Sequence, residues 1–220
     1  RSAYHGFYRI LSQRNALLKR FKEGFGDSAE LEIWTNRLVD EGSKVMDYRL
    51  RVMGRINPWV NNYHQQMSLG REDLGCFYQW SGGSLTGGGM DYLRERYQKE
   101  ITARIKEEKR RGYTLIGPHR DDLLLCSGQR ELRIYGSQGQ QRTAALALKF
   151  AMVDLIKEAR GVPPILLLDD VLSEFDNSRK QELLQIVTEG TQTMITTAEI
   201  ESFKNHVFPG GKKYFRDRKS

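Results

Sequence analysis

The sequence predicts an α/β fold joined to a helical segment, on three observations. Ile165-Leu166-Leu167-Leu168, after Pro163-Pro164, is a run of four large aliphatics, which suits a strand covered on both faces in a parallel sheet. Gly136 to Gln140 is a turn of small and amide residues that feeds a helical pattern reaching about Ala159. Upstream of Arg111 the apolar spacing is mainly helical, and from Gly112 it shortens to strand-like runs. A division into a helical arm over residues 1–111 and an α/β segment over 112–220 follows.

The aliphatic run ends in Asp169-Asp170. Carboxylates at the carboxyl end of such a strand stand where open α/β sheets bind ligands. One can hold Mg²⁺ on a nucleotide, and a second can orient or deprotonate a water. That is the Walker B pattern. The run fits equally a buried strand whose aspartates cap the next helix. The Gly136 to Gln140 turn precedes a helix N-terminus, which offers free backbone N–H groups and a positive dipole end to an anion. The stripe Ala145, Leu148, Met152, Leu155 and Ala159 is the expected buried face of that helix.

In chain order, residues 4 to 22 read as a helix with Tyr8, Leu11, Asn15, Leu18 and Lys22 on one side. Gly24-Phe25-Gly26 breaks it, and Asp27 or Ser28 can cap the next helix. Leu31, Trp34, Leu38, Val45, Tyr48, Val52 and Trp59 fall on steps of three and four, as in a coiled-coil seam or a long helix packed on a bundle. Pro58 predicts an end or kink near Ile56 or Asn57. Leu74 to Trp80 reads as a strand with Phe77, Tyr78 and Trp80 in the core, although aromatics beside glycine-rich loops also stack on bases. Met90 to Arg110 reads as a charged helix. Tyr113 to Ile116, Asp122 to Cys126 and Glu131 to Ile134 read as short strands, the last two joined by a tight turn at Ser127-Gly128-Gln129. In the loop Gly117 to Asp121, Asp121 or Asp122 is expected to pair with Arg120. Asn177 to Glu189 reads as a helix and Thr193 to Thr197 as a buried strand.

Cys76 and Cys126 have no paired spacing, and the four histidines lie far apart, so neither a zinc site nor a disulfide framework is indicated. No apolar run approaches a membrane span. The net charge is +7, with a pI near 9.4. A basic surface suits nucleic acid, and solvated helix faces carry such charge as well. From Arg1 to Lys22 there are six basic residues and no acidic one. Lys212, Lys213, Arg216, Arg218 and Lys219 form a basic tail.

Four blocks in order resemble the RecF family of bacterial DNA replication and repair proteins. They are Gln13-Arg14-Asn15-Ala16-Leu17-Leu18-Lys19, Gly117-Pro118-His119-Arg120-Asp121-Asp122-Leu123, Ser137-Gln138-Gly139-Gln140-Gln141-Arg142-Thr143, and Leu168-Asp169-Asp170-Val171-Leu172-Ser173-Glu174. The resemblance implies the C-terminal half of an ABC-type ATPase head with a short coiled-coil-like arm. It implies that Asp169 holds Mg²⁺, that Asp170 is catalytic, and that Ser173 and Asp176 line a dimer-interface loop. It also implies that Ser137, Gln138, Gly139, Gln140 and Gln141 form a signature turn. Such a turn closes in trans on the γ-phosphate of ATP held by a second copy. Its register is open by one residue, because the common Ser-Gly-Gly-Gln spelling also aligns on Gln138 to Gln141.

As partners the resemblance implies double-stranded and gapped DNA, a homodimer on ATP, RecR and RecO, and indirectly RecA. It implies a bacterial cytoplasmic, nucleoid-associated protein of the DNA-damage and SOS response. The expected activity is a slow DNA-dependent ATPase acting as a clamp. An SMC-like ATPase module whose arm binds a protein, or a non-catalytic structural module, are the alternatives. No Gly-x-x-x-x-Gly-Lys-Ser/Thr loop is present, and Gly210-Gly211-Lys212-Lys213 lacks its first glycine and hydroxyl residue. Transporter ATPases carry a histidine after the strand that here ends at Thr196 or Thr197, and none stands here. The chain is therefore expected to be a fragment, unable alone to hydrolyse ATP, with apolar surface exposed beside the Ile165 strand.

Overall fold

A computed structural model describes residues 2–85, 88–171, 175, 177–188 and 191–196. The chain forms two compact units that alternate along the sequence, residues 1–55 with 76–125, and residues 56–75 with 126–220. The expected division after Arg111 falls inside the first of these.

The first unit is built on helices. α1 (Ser2–Lys22) and the first part of α2 (Ser28–Ser68) are followed by β1 (Gly75–Gln79), α3 (Met90–Ala103) and α4 (Ile105–Arg111). The Asp27 carboxylate accepts from Ala29 N at 2.9 Å, so Asp27 is the cap that starts α2. Phe7, Ile10 and Leu11 of α1, Leu38, Val39, Val45 and Met46 of α2, and Leu93, Tyr97 and Ile101 of α3 close one core with Trp80 and Ile116. The α2 stripe thus covers more of the helix than a two-stranded seam. Tyr48, expected in that seam, is 63% exposed. On α1 the buried side takes Phe7 and Arg14, while Tyr8 and Lys22 face out.

α2 runs through Pro58 to Ser68. A proline here removes one backbone bond, and burial of Ile56, Val60 and Met67 on either side of it outweighs that loss. The expected helix from Met90 to Arg110 is two helices. Arg104 N turns back to Ile101 O, and the Thr102 hydroxyl donates to Gln98 O, drawing off the carbonyls that a continuous helix needs.

Residues 113–116 form no strand, because side chains take their backbone groups. Asn15 Oδ1 accepts from Thr114 N, and Glu108 Oε1 accepts from Leu115 N, each at 2.8 Å. Beneath them lies a buried ion pair. Arg14 donates to Glu108 Oε2 at 2.6 Å, to Thr114 Oγ1 at 2.7 Å and to Thr35 Oγ1 at 2.9 Å, and both charged side chains are fully buried. The loop after it is fixed by Asp121, which accepts from Ser81 N, Ser81 Oγ and the Tyr78 hydroxyl. Arg120 does not pair with it as expected, and instead lies over the Tyr113 ring. Gly117 sits at φ 125°, and a Cβ there would overlap the Tyr97 hydroxyl, so only glycine fits. Trp80 is core as expected, while Phe77 is half exposed.

β2 (Asp122–Ser127) lies beside β1 and turns through Gly128-Gln129 into β3 (Arg130–Glu131), with Ser127 opposite Arg130. The strand expected to reach Ile134 ends there and becomes a single helical turn, α5 (Leu132–Tyr135).

The second unit contains the end of α2, then α6 (Gln138–Arg160), β4 (Leu166–Asp169), α7 (Asn177–Thr188) and β5 (Thr193–Thr196). α6 buries Thr143, Ala144, Leu146, Ala147, Phe150 and Ala151. The expected stripe had the wrong phase, since Ala145 and Met152 face out. The helix is apolar around most of its circumference, so spacing alone selects no side. β4 and β5 pair in parallel, Leu166 with Thr193 through Asp169 with Thr196. Leu168 is buried, whereas Ile165, Leu167 and Met194 are 57%, 69% and 55% exposed. Neither strand is therefore buried on both faces. Leu167 pairs with Met194, and the two-residue spacing places Ile165 on the same side as Leu167. This apolar sheet face is the exposed surface expected beside the Ile165 strand.

Candidate functional site: a capped helix turn and a carboxylate pair

Ser137 is the N-cap of α6, in extended conformation. Its hydroxyl accepts from Gln140 N at 3.2 Å, and Gln140 Oε1 accepts from Ser137 N at 2.8 Å. This reciprocal capping box satisfies two groups at the helix start. The N–H groups of Gln138 and Gly139 precede any intrahelical acceptor and point along the axis. Gln141 Nε2 reaches back to Leu132 O at 2.9 Å and Gly136 O at 3.1 Å, which ties the turn to α5. Ser137 thus caps the helix, Gln140 completes the box, and Gln141 anchors the segment before it. Gly139 faces Arg179, whose Nη1 lies 3.5 Å from where a Cβ would stand. The dipole end, the open glycine and a guanidinium together favour an anion.

Asp169 and Asp170 stand at the carboxyl end of β4, both exposed. The Thr196 hydroxyl donates to Asp169 Oδ1, and Asp170 N donates to Thr196 O at 3.1 Å. Asp170 has φ 48°, a left-handed conformation costly for a residue with a Cβ. Strain of this kind concentrates at functional positions. An exposed carboxylate beside a hydroxyl fits Mg²⁺, which takes oxygen ligands and keeps several waters. Among the described residues no three His, Cys, Asp or Glu side chains gather as a metal cage, so an ion there would draw its other ligands from water and phosphate. Ser173 and Asp176, expected to line a dimer interface, lie outside the described residues.

Arg179, Thr196 and Glu72 are site neighbours that no motif flagged. Glu72 accepts from Gln140 Nε2 at 2.7 Å across 68 residues of sequence, a separation that carries no local signal. Thr196, the last residue of β5, touches both aspartates.

No helix among the described residues is long and apolar enough to cross a membrane. A scan against protein-family models finds no match. Curated relatives do match. A "DNA replication and repair protein RecF" of Symbiobacterium thermophilum is 38% identical over 213 residues, covering 96% of this chain and 56% of the relative. One of a Cyanothece species is 40% identical over 195 residues, covering 88% of this chain and 52% of the relative. Among solved structures, the "recombination mediator protein RecF-ATP in RecFOR pathway" matches with a TM-score of 0.78 and 31% identity, over 90% of this chain and 52% of that one. The chain thus spans about half the length of the relatives it matches, and its α/β fold is that of an ABC-type ATPase head segment joined to helices. On the sequence relatives and the fold together, the chain belongs to the RecF family of DNA replication and repair proteins.

Proposed function

We propose that this chain supplies half of an ATP-operated clamp that binds double-stranded DNA beside single-stranded gaps and helps load the RecA recombinase. The single observation that carries the proposal is that the second unit holds both a capped helix N-terminus at Ser137 to Gln140 and an exposed, partly strained carboxylate pair at Asp169 and Asp170. In this reading Asp169 would hold Mg²⁺ on ATP, which neutralises charge on the β- and γ-phosphates. Asp170 orients or deprotonates the attacking water. Ser137, Gln138, Gly139, Gln140 and Gln141 close on the γ-phosphate of ATP bound by a second copy, with Arg179 adding positive charge. ATP thereby drives dimerisation, and slow hydrolysis releases DNA. Residues 1–111 act as the arm and 112–220 as the head segment. RecO and RecR are the partners, and the basic surface supplies DNA contact.

The test uses the full-length protein on gapped DNA, with ATP-Mg²⁺, with ADP and without nucleotide, following affinity and oligomeric state together. Tighter binding and dimerisation with ATP alone is the expected result. Equal binding in all three states would mean that the basic surface acts without the ATPase site. Ser137→Arg fills the phosphate position and should abolish the ATP-driven dimer, while Asp170→Asn should keep the dimer and lower hydrolysis by roughly a hundredfold or more.

A further inference from the structure

The Gln140 amide is held at both ends. Its oxygen accepts from Ser137 N at 2.8 Å, and its nitrogen donates to Glu72 Oε1 at 2.7 Å. A carboxylate accepts and a backbone N–H donates. The two partners therefore leave the amide one orientation. Without Glu72 only the Ser137 N–H opposes a turnover that sets the amide NH₂ against it. Two donors would then face each other, and the capping box would open.

Glu72 is itself braced. Leu69 and Gly70, at φ 58° and 70°, reverse the chain directly after α2. Gly70 N donates to Gln65 O at 2.8 Å, and Leu74 N donates to Asn61 Oδ1 at 2.9 Å. Gln65 Nε2 donates to Asp73 Oδ1 at 2.7 Å. The buried His64 ring meets Glu72 O at 3.1 Å through Nδ1, which must carry the proton because a carbonyl only accepts. The last turns of α2 thus fix the residue that fixes Gln140. Glu72 Oε2 is buried without a hydrogen-bond partner among the described residues. That is a costly arrangement for a carboxylate whose only task is to close a loop.

We infer that Glu72 is a positioning residue for the α6 turn, holding the Gln140 amide so that the Ser137 cap and the free N–H groups stay aimed at a γ-phosphate. The inference rests on the in-trans role given to that turn above. Nucleotide uptake by a single copy does not depend on it. Dimerisation does.

The experiment titrates ATP into the full-length protein and follows dimerisation for wild type, Glu72→Met, Glu72→Gln, Glu72→Asp and Ser137→Arg, with melting temperature measured without nucleotide. Methionine keeps the volume and removes the acceptor, so half-maximal dimerisation should need about tenfold more ATP, the scale of one hydrogen bond to a charged group. Glutamine retains a carbonyl acceptor and should restore most of the response. Aspartate, one methylene shorter, should fall between and covers the case in which Glu72→Met does not fold. Dimerisation of Glu72→Met or Glu72→Asp at wild-type ATP, with Ser137→Arg defective, overturns the inference and leaves the in-trans role standing. Equal loss in Glu72→Gln and Glu72→Met that tracks a fall in melting temperature also overturns it. Normal dimerisation of Ser137→Arg overturns the in-trans role first.

Discussion

The Arg14–Glu108 lock and the Asp169–Asp170 corner use the same kinds of group to opposite ends. Arg14 and Glu108 are fully buried, and their side-chain nitrogens and oxygens are bonded to each other and to Thr35, Thr114 and Leu115. Asp169 and Asp170 are exposed at a strand end, and Ser137 and Gln138 are exposed at a helix start. Two of the four family-like blocks, around Arg14 and around Gly117 to Asp121, thus act inside the protein. In the other two, Ser137, Gln138, Asp169 and Asp170 are exposed. Burial therefore sorts the blocks that hold the fold from those that can do chemistry, although all four look alike as sequence.

The sharpest way to break this comparison is Arg14→Met, which strands the Glu108 carboxylate in a dry site. We expect a loss of about 3–5 kcal/mol in urea unfolding. Adding Glu108→Leu should recover much of that loss, because a buried pair often contributes little beyond an apolar pair of similar size. A loss under 1 kcal/mol for Arg14→Met alone would mean that water reaches Glu108 and that the lock is not structural. Next in size is Tyr78→Phe. It removes the hydroxyl from Asp121, a contact that, after burial, helps to hold the Tyr78 phenol well above its ordinary pKa. About 1–3 kcal/mol is expected, with the proposed ATP-driven dimerisation unaffected once the protein is folded.

Local signals made most elements legible, and long-range ones did not. The Asp27 cap, the Gly128-Gln129 turn and the helix start after Gly136 are each written within a few residues, and the structure contains all three. The apolar run at Ile165 correctly marks a strand. Its expected double burial fails because Leu167 and Met194 remain uncovered. Residues 113–116 have strand-like composition, yet Asn15, about a hundred residues away, and Glu108 claim their N–H groups. The same limit hid Glu72. At the candidate site the aspartates and the turn were legible because strand-end carboxylates and small-residue helix starts are local patterns. Arg179 and Thr196 matter only through where the fold sets them.

At the exposed corner, effects on stability should be small and effects on function large. Asp170→Gly relieves the left-handed strain and should leave stability unchanged or raise it by up to about 1 kcal/mol, while on the role proposed for Asp170 any ATP hydrolysis by the full-length protein should be lost. A clear destabilisation would place Asp170 with Arg14 among the fold-holding groups.

The smallest effect links the two regions through acid. The first unit holds His119 and the second holds His64, and burial pushes the pKa of each below the ordinary 6.5. For His64 the Glu72 and Asp73 carboxylates pull the other way and Arg179 adds to the depression. A base with a depressed folded pKa binds protons more readily when unfolded. Stability should therefore be level above about pH 6.5 and fall as the pH drops through that value toward the folded pKa. Melting temperature followed from pH 7.5 to 5 should show this fall. His64→Asn, which can still donate toward Glu72 O but carries no titrating ring, should remove part of the slope, and His119→Asn should remove another part. A slope unchanged in His64→Asn would mean that Glu72 and Asp73 have cancelled the effect of burial. The α6 turn would then rest on a charged rather than a neutral histidine, and its hold on Gln140 would tighten, not loosen, in acid.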